Sequence, residues 1–244
     1  MTIKKINFLT EDSLVDVDGN KYEIVKIGNQ TWMAENLRTT RFLNGDEIAH
    51  IESDSRWGKS KYKTWSWSQW KSEKKSAWSW YKNEQTNDTI YGKLYNSVAV
   101  KDKRCLCPAG WHLPSRKDFD ILIENVKFTY KARNASKLMK SKSGWKREFN
   151  GNNRSGFSAV ASGFRSYLYN DKRPRYKSGR LYNPNHKEMS SSFVYEKHFA
   201  VWWTNNNNFF VLSFKKGAKP SRISSSDPII GGFTRGFSVR CIKK

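Results

Sequence analysis

The firmest constraint on the fold of this chain lies near its middle. Ser115 is followed three residues later by Asp118, the two halves of a capping box that starts a helix. Phe119, Leu122, Ile123 and Val126 then recur at i, i+3, i+4 and i+7, so one face of that helix is apolar and has to be buried. A shorter helix is expected over 135–142. Elsewhere the apolar runs are short and separated by turn residues. The pattern predicts an α+β domain with two helices, small antiparallel sheets and long irregular loops.

The strands are read from their turns. Asp18-Gly19 and Gly28-Asn29 are turn dipeptides, which leaves Tyr22 to Ile27 as one strand and Gln30 to Ala34 as its return. Phe157 to Ala161, Phe209 to Phe214 and the alternating Phe237 to Ile242 are further strands. The polar, basic, Pro-punctuated run from Arg165 to Lys187 is loop chemistry.

With 244 residues, 15% of them aromatic, the chain can bury a sizeable core. No Pro/Gly/Ser-rich linker divides it, so one domain is expected over 15–244, preceded by an N-terminal extension over 1–14. The character changes between Arg56 and Lys82. Trp57, Trp65, Trp67, Trp70, Trp78 and Trp80 alternate there with lysines, and Glu73 is the only acid. A Trp/Lys-rich insertion is therefore expected over about 56–90. Either its indoles pack as a satellite core, or they stack on sugars or bases while the lysines hold anions.

Charge narrows the partners. The 45 Lys and Arg exceed the 22 Asp and Glu by 23, a balance that attracts polyanions in a salt-sensitive way. Acidic glycans, nucleic acid and anionic lipid would all respond. Nothing in the first thirty residues resembles a secretion signal, and no apolar run approaches a membrane span. Three cysteines, Cys105, Cys107 and Cys241, leave two readings open: one long-range bridge with an odd thiol, or three free thiols.

Several phrases occur in a fixed order. They are Gly28-Asn29-Gln30-Thr31-Trp32-Met33-Ala34-Glu35-Asn36-Leu37, Tyr91-Gly92-Lys93-Leu94-Tyr95-Asn96, Cys107-Pro108-Ala109-Gly110-Trp111-His112-Leu113-Pro114-Ser115, Ser155-Gly156-Phe157-Ser158-Ala159, Trp202-Trp203-Thr204 and Val239-Arg240-Cys241. Together they resemble the Fibrobacter succinogenes major paralogous domain family, related to the C-type lectin-like superfamily. The resemblance covers residues from about 15 to the end. It implies a C-type lectin-like α+β fold, a surface or secreted setting, no established activity, and a bridge between Cys107 and Cys241.

The same resemblance places ligand display near the last strands. There Trp202, Trp203, Asn205, Asn206, Asn207, Asn208, Phe210, Lys215, Lys216 and Arg222 form the expected ligand-binding set, although an asparagine run is also ordinary turn chemistry. Calcium-dependent sugar binding needs clustered oxygen ligands. Asn183-Pro184-Asn185 and Asp227-Pro228 lack the carboxylate pattern, so no metal is expected. His50, His112, His186 and His198 show no ligand spacing, no phosphate loop or nucleophile elbow is present, and no cofactor is expected. Val239-Arg240-Cys241 resembles the end of formylglycine-generating enzymes, but paired catalytic cysteines are not evident. The expected function is a non-catalytic adhesion or receptor-recognition module for an anionic glycan or cell-surface receptor, on a bacterial surface or a virion. A nucleic-acid-associated basic protein and a structural assembly component are the alternatives.

Overall fold

A computed structural model of the protein describes residues 13–51, 75–146, 149–166, 193–206, 208–213, 221–223 and 235–244. Its elements begin with β1 (Leu14–Val15), β2 (Lys21–Tyr22), β3 (Ile24–Ile27), β4 (Gln30–Met33), β5 (Ala49–His50) and β6 (Ala77–Trp80). They continue through α1 (Asp88–Tyr91), β7 (Lys93–Asn96), α2 (Ser97–Lys101), β8 (Trp111–His112), α3 (Arg116–Tyr130) and α4 (Ser136–Met139). The remainder is β9 (Phe164–Ser166), β10 (Phe193–Val194), β11 (Phe199–Trp203), β12 (Phe209–Ser213), β13 (Ser221–Ile223), β14 (Arg235–Phe237) and β15 (Ile242–Lys243). The class is α+β.

The N-terminal turns form where expected, but the run expected to be one strand over Tyr22 to Ile27 breaks at Glu23. Tyr22 ends β2, which pairs with β1, and Ile24 opens β3, which pairs with β4 in another sheet. The Asp16 carboxylate accepts the Asp18 and Asn20 backbone N–H groups, each at 2.9 Å, and so closes the turn that pairs β1 with β2. Leu14, the first residue of β1, falls within the stretch expected to be an extension. In the β3–β4 turn Gly28 has φ +62, and a Cβ there would lie 2.4 Å from the Asn125 amide. Only glycine lets that turn dock on α3.

Helix α3 is built as the capping box predicts. Ser115 Oγ accepts the Asp118 N–H at 3.2 Å, and the Asp118 carboxylate accepts the Ser115 N–H at 2.7 Å. Phe119, Leu122, Ile123 and Val126 are buried, each worth roughly 1.5–3 kcal/mol on leaving water. The shorter helix is α4, one turn only. Two further single-turn helices, α1 and α2, were not expected. Asn96 explains the second, since its side chain accepts the Ala99 N–H at 2.8 Å as an N-cap.

Four sheets are present among the described residues: β1–β2, β3–β4–β15–β8, β11–β12–β13, and a six-stranded β10–β9–β14–β7–β6–β5. All their pairings are antiparallel except β5 with β6, which is parallel. Phe157 to Ala161 is not a strand. Ser158 has φ 51, and the local backbone instead bonds to α4 and its end: Ala159 N–H to Met139 O at 2.8 Å, Ser141 N–H to Ala159 O at 2.9 Å. The last run is likewise not one alternating strand. It leaves the six-stranded sheet after Phe237, joins the four-stranded sheet at Ile242, and is buried throughout 235–242. A disulfide joins Cys107 to Cys241, 134 residues apart, beside the β8–β15 pairing.

Among the described residues the core has two large halves with the β11–β12 hairpin between them, and a smaller cluster of Tyr81, Tyr91, Leu94 and Phe193. Phe199, Val201, Trp203, Phe209 and Val211 face the half built around Tyr95 and Phe237. Ala200, Trp202, Phe210 and Leu212 face the half built around α3 and Trp32. At the seam sits a polar hub. Asn36 Oδ1 accepts the Trp202 indole N–H at 2.8 Å and the Arg240 Nε–H at 3.0 Å. Its amide nitrogen donates to Tyr91 O at 2.8 Å and Ser238 Oγ at 3.3 Å. Arg240 also donates to the carbonyls of Phe157 and Ser158, and its guanidinium packs against the Phe157 and Trp202 rings. Burial disfavours its charge, which these carbonyl and amide oxygens compensate.

Candidate recognition surface

The expected ligand-binding set divides sharply. Trp202, Trp203 and Phe210 are at most 2% exposed. Trp202 is tied to Asn36, Trp203 donates to Tyr95 O at 2.7 Å, and Phe210 stacks on Phe119 at 4.2 Å between centroids. They form the interior and cannot touch a ligand. The hairpin is covered on both faces, which a continuous apolar run such as Phe199 to Trp203 signals in sequence.

The turn between those strands does reach solvent. Asn205 and Asn206 are exposed and Asn208 is half-buried. Thr204 N–H bonds to Asn208 O at 2.9 Å, Thr204 Oγ1 lies 2.8 Å from Asn206 Oδ1, and Asn205 N–H donates to Pro114 O at 3.0 Å. The turn is thus pinned beside the start of α3, where Arg116 and Lys117 are exposed. Arg222 lies on β13 opposite Phe210 in register. Asn207, Lys215 and Lys216 lie outside the described residues, as do Trp57, Trp65, Trp67 and Trp70.

The end of the Trp/Lys stretch forms β6 of the six-stranded sheet. Trp78 on β6 is 6% exposed, donates to Ile48 O at 3.0 Å and stacks on His50 at 3.9 Å. Trp80 meets both rings edge-on, and Lys93 Nζ lies 4.9 Å from the Trp78 ring while pairing with Asp88 at 2.9 Å. These indoles pack.

A second surface escaped the sequence reading. Between residues 125 and 154 the chain has nine Lys or Arg and one acid, Glu148. Lys131, Arg133, Lys137, Lys142 and Arg154 are exposed. The fold draws them together, because the strap 150–155 is laid back over α4 by backbone bonds. Gly151 N–H reaches Ser141 O at 2.8 Å, Asn152 N–H reaches Lys137 O at 2.9 Å, and Ser155 N–H reaches Leu138 O at 3.1 Å. The Arg154 guanidinium sits 4.9 Å over the Tyr130 ring, whose hydroxyl donates to Arg154 O. Phe128, one turn before Lys131, is 87% exposed. The clue in sequence was the local charge count, which the whole-chain excess obscured.

Beneath this surface lies a buried cation. Lys140 is 4% exposed, with Nζ 4.4 Å from the Trp145 ring, and burial pulls its pKa down to about 8. The unfolded chain binds this proton more tightly than the folded one, so stability rises as pH climbs from about 8 towards 10.5. A rise of roughly 1–3 kcal/mol is expected. Urea melts of wild type and Lys140→Met at pH 7 and 9.5 check it; a variant that keeps the full rise would locate its origin elsewhere.

Among the described residues no three His, Cys, Asp or Glu side chains converge as metal ligands, and no helix is long and apolar enough to cross a membrane. The architecture is that of a disulfide-closed α+β domain with a buried aromatic core, displaying amides on one turn and cations elsewhere on its surface. Residues 25–243 match the Fibrobacter succinogenes major domain, and the chain belongs to that family. No curated protein and no solved structure matches it.

Proposed function

We propose that this chain is a non-catalytic recognition module that holds an anionic glycan, serving adhesion or receptor binding on a bacterial or viral surface. Its frame is taken to be C-type lectin-like. A bridge from the helical half to the last strand of an α+β body is what that reading requires.

The observation that carries the proposal is how charge is distributed. Many acids are engaged within the fold: Asp16 on Asn20, Asp18 on Thr40, Asp118 in a cap, Asp46 and Asp102 on Arg104, Glu196 on Lys82 and Tyr91. Cations remain at the surface of a chain with net charge +23, and such a surface steers polyanions. The Cys107–Cys241 bridge favours a glycan over nucleic acid, because disulfides persist where the surroundings are oxidising. Asn205 and Asn206 supply amides suited to sugar hydroxyls.

A panel of soluble glycans tests the reading. Uronate- or sulfate-bearing members are expected to bind, and neutral members of equal size to fail. Binding confined to neutral glycans, or turnover of any glycan on incubation, would contradict it.

A further inference from the structure

Resting on that reading, the geometry points to the α3–α4 corner, rather than the asparagine turn, as the surface that grips the acidic polysaccharide. Lys131, Arg133, Lys137, Lys142 and Arg154 are the contacts we infer. None of the five is ion-paired among the described residues, whereas Lys127, one turn back on α3, is neutralised by Glu124 at 2.8 Å. Beyond the end of the helix, the corner cations have no such carboxylate partner among the described residues.

Three features fit a linear anionic chain. First, the cations are held on a rigid base. The strap 150–155 is tied to α4 so closely that a Cβ on Gly151 would fall 2.1 Å from Lys140 O. Less order is then lost on binding than with lysines on a loose loop. Second, Lys131 stands at the C-terminus of α3 in a left-handed conformation, its N–H bonding to the Lys127 and Phe128 carbonyls. The residue thus stands at the negative end of the helix, where a cation is favoured. Third, Phe128 places an apolar ring next to the charges, suited to the C–H face of a sugar. Among the described residues the asparagine turn has only Arg116 and Lys117 as exposed cations beside its amides, against five at the corner, so charge recognition falls mainly to the corner.

The test compares two four-site variants with wild type, using dextran sulfate as probe and unsulfated dextran and duplex DNA as comparators. One variant carries Lys131→Glu, Arg133→Glu, Lys137→Glu and Lys142→Glu. The control carries Lys21→Glu, Lys103→Glu, Lys243→Glu and Lys244→Glu, the same change in net charge at exposed sites on other elements. The corner variant is expected to lose about tenfold or more in affinity for dextran sulfate, and the control less than about threefold. Thermal melts of both variants near wild type show that the frame survives. Equal losses in the two variants, or a larger loss in the control, overturn the corner while leaving the glycan reading standing. Duplex DNA bound more tightly than dextran sulfate, with only the DNA affinity lost in the corner variant, reassigns the surface to nucleic acid. A wild-type protein that ignores dextran sulfate sinks the glycan reading itself.

Discussion

Replacing Cys107 and Cys241 together by serine is expected to destabilise the protein by about 4–5 kcal/mol and to lower its melting temperature by about 8–20 °C. The reason lies mainly in the unfolded chain. A bridge between residues 134 apart removes much of the conformational freedom of more than half the sequence, and the entropy released on cutting it grows with loop length. The native state adds to the loss. Cys107 and Cys241 are at most 2% exposed, so each serine would bury a hydroxyl in an apolar setting. Wild type treated with reductant should melt near the double variant. Cys105→Ser, at an exposed free thiol, should melt like untreated wild type. A double variant within about 1 kcal/mol of wild type would mean that packing alone closes the domain.

The second large effect concerns Asn36. Leucine there has similar size but no polar atoms. It would leave the Trp202 indole N–H, the Arg240 Nε–H and the Tyr91 carbonyl without their partners in a sealed interior. Orphaned buried groups cost about 1–3 kcal/mol each, more beside a charge, so Asn36→Leu is expected to cost about 3–5 kcal/mol. Asn36→Asp should cost less at neutral pH. Its carboxylate still accepts both bonds and offsets the Arg240 charge, though it loses the two donations. That advantage should fade as acid protonates the new carboxylate. Denaturant melts of both variants decide the matter; an Asn36→Leu protein as stable as wild type would show that the hub is incidental.

How much of this could be read in advance depends on the range of the forces involved. Helix α3 was legible because its cap and its stripe are local: Ser115 and Asp118 bond each other, and the apolar period repeats within one segment. The N-terminal turns were legible for the same reason. The Asn36 hub was not, since it joins residues as far apart as 204 positions, and nothing near Asn36 in sequence announces Arg240. The ligand set near the last strands went astray at Trp202, Trp203 and Phe210 because an exposed aromatic and a core aromatic look alike in one sequence. The clue that separates them is the continuous apolar run over Phe199–Trp203, which marks a strand covered on both faces. The corner cations were visible as letters, but their convergence depends on the strap over α4, whose bonds run from 150–155 back to 137–141.

In the proposed reading, a disulfide-closed frame recognises its ligand through charge held on its surface. The dependence of dextran sulfate affinity on ionic strength tests it most directly. If about four or five cations are engaged, the logarithm of affinity should fall linearly with the logarithm of salt, with a slope of about −3 to −4 between roughly 50 and 300 mM. Affinity that stays flat over that range, or that is matched by unsulfated dextran, would contradict the account.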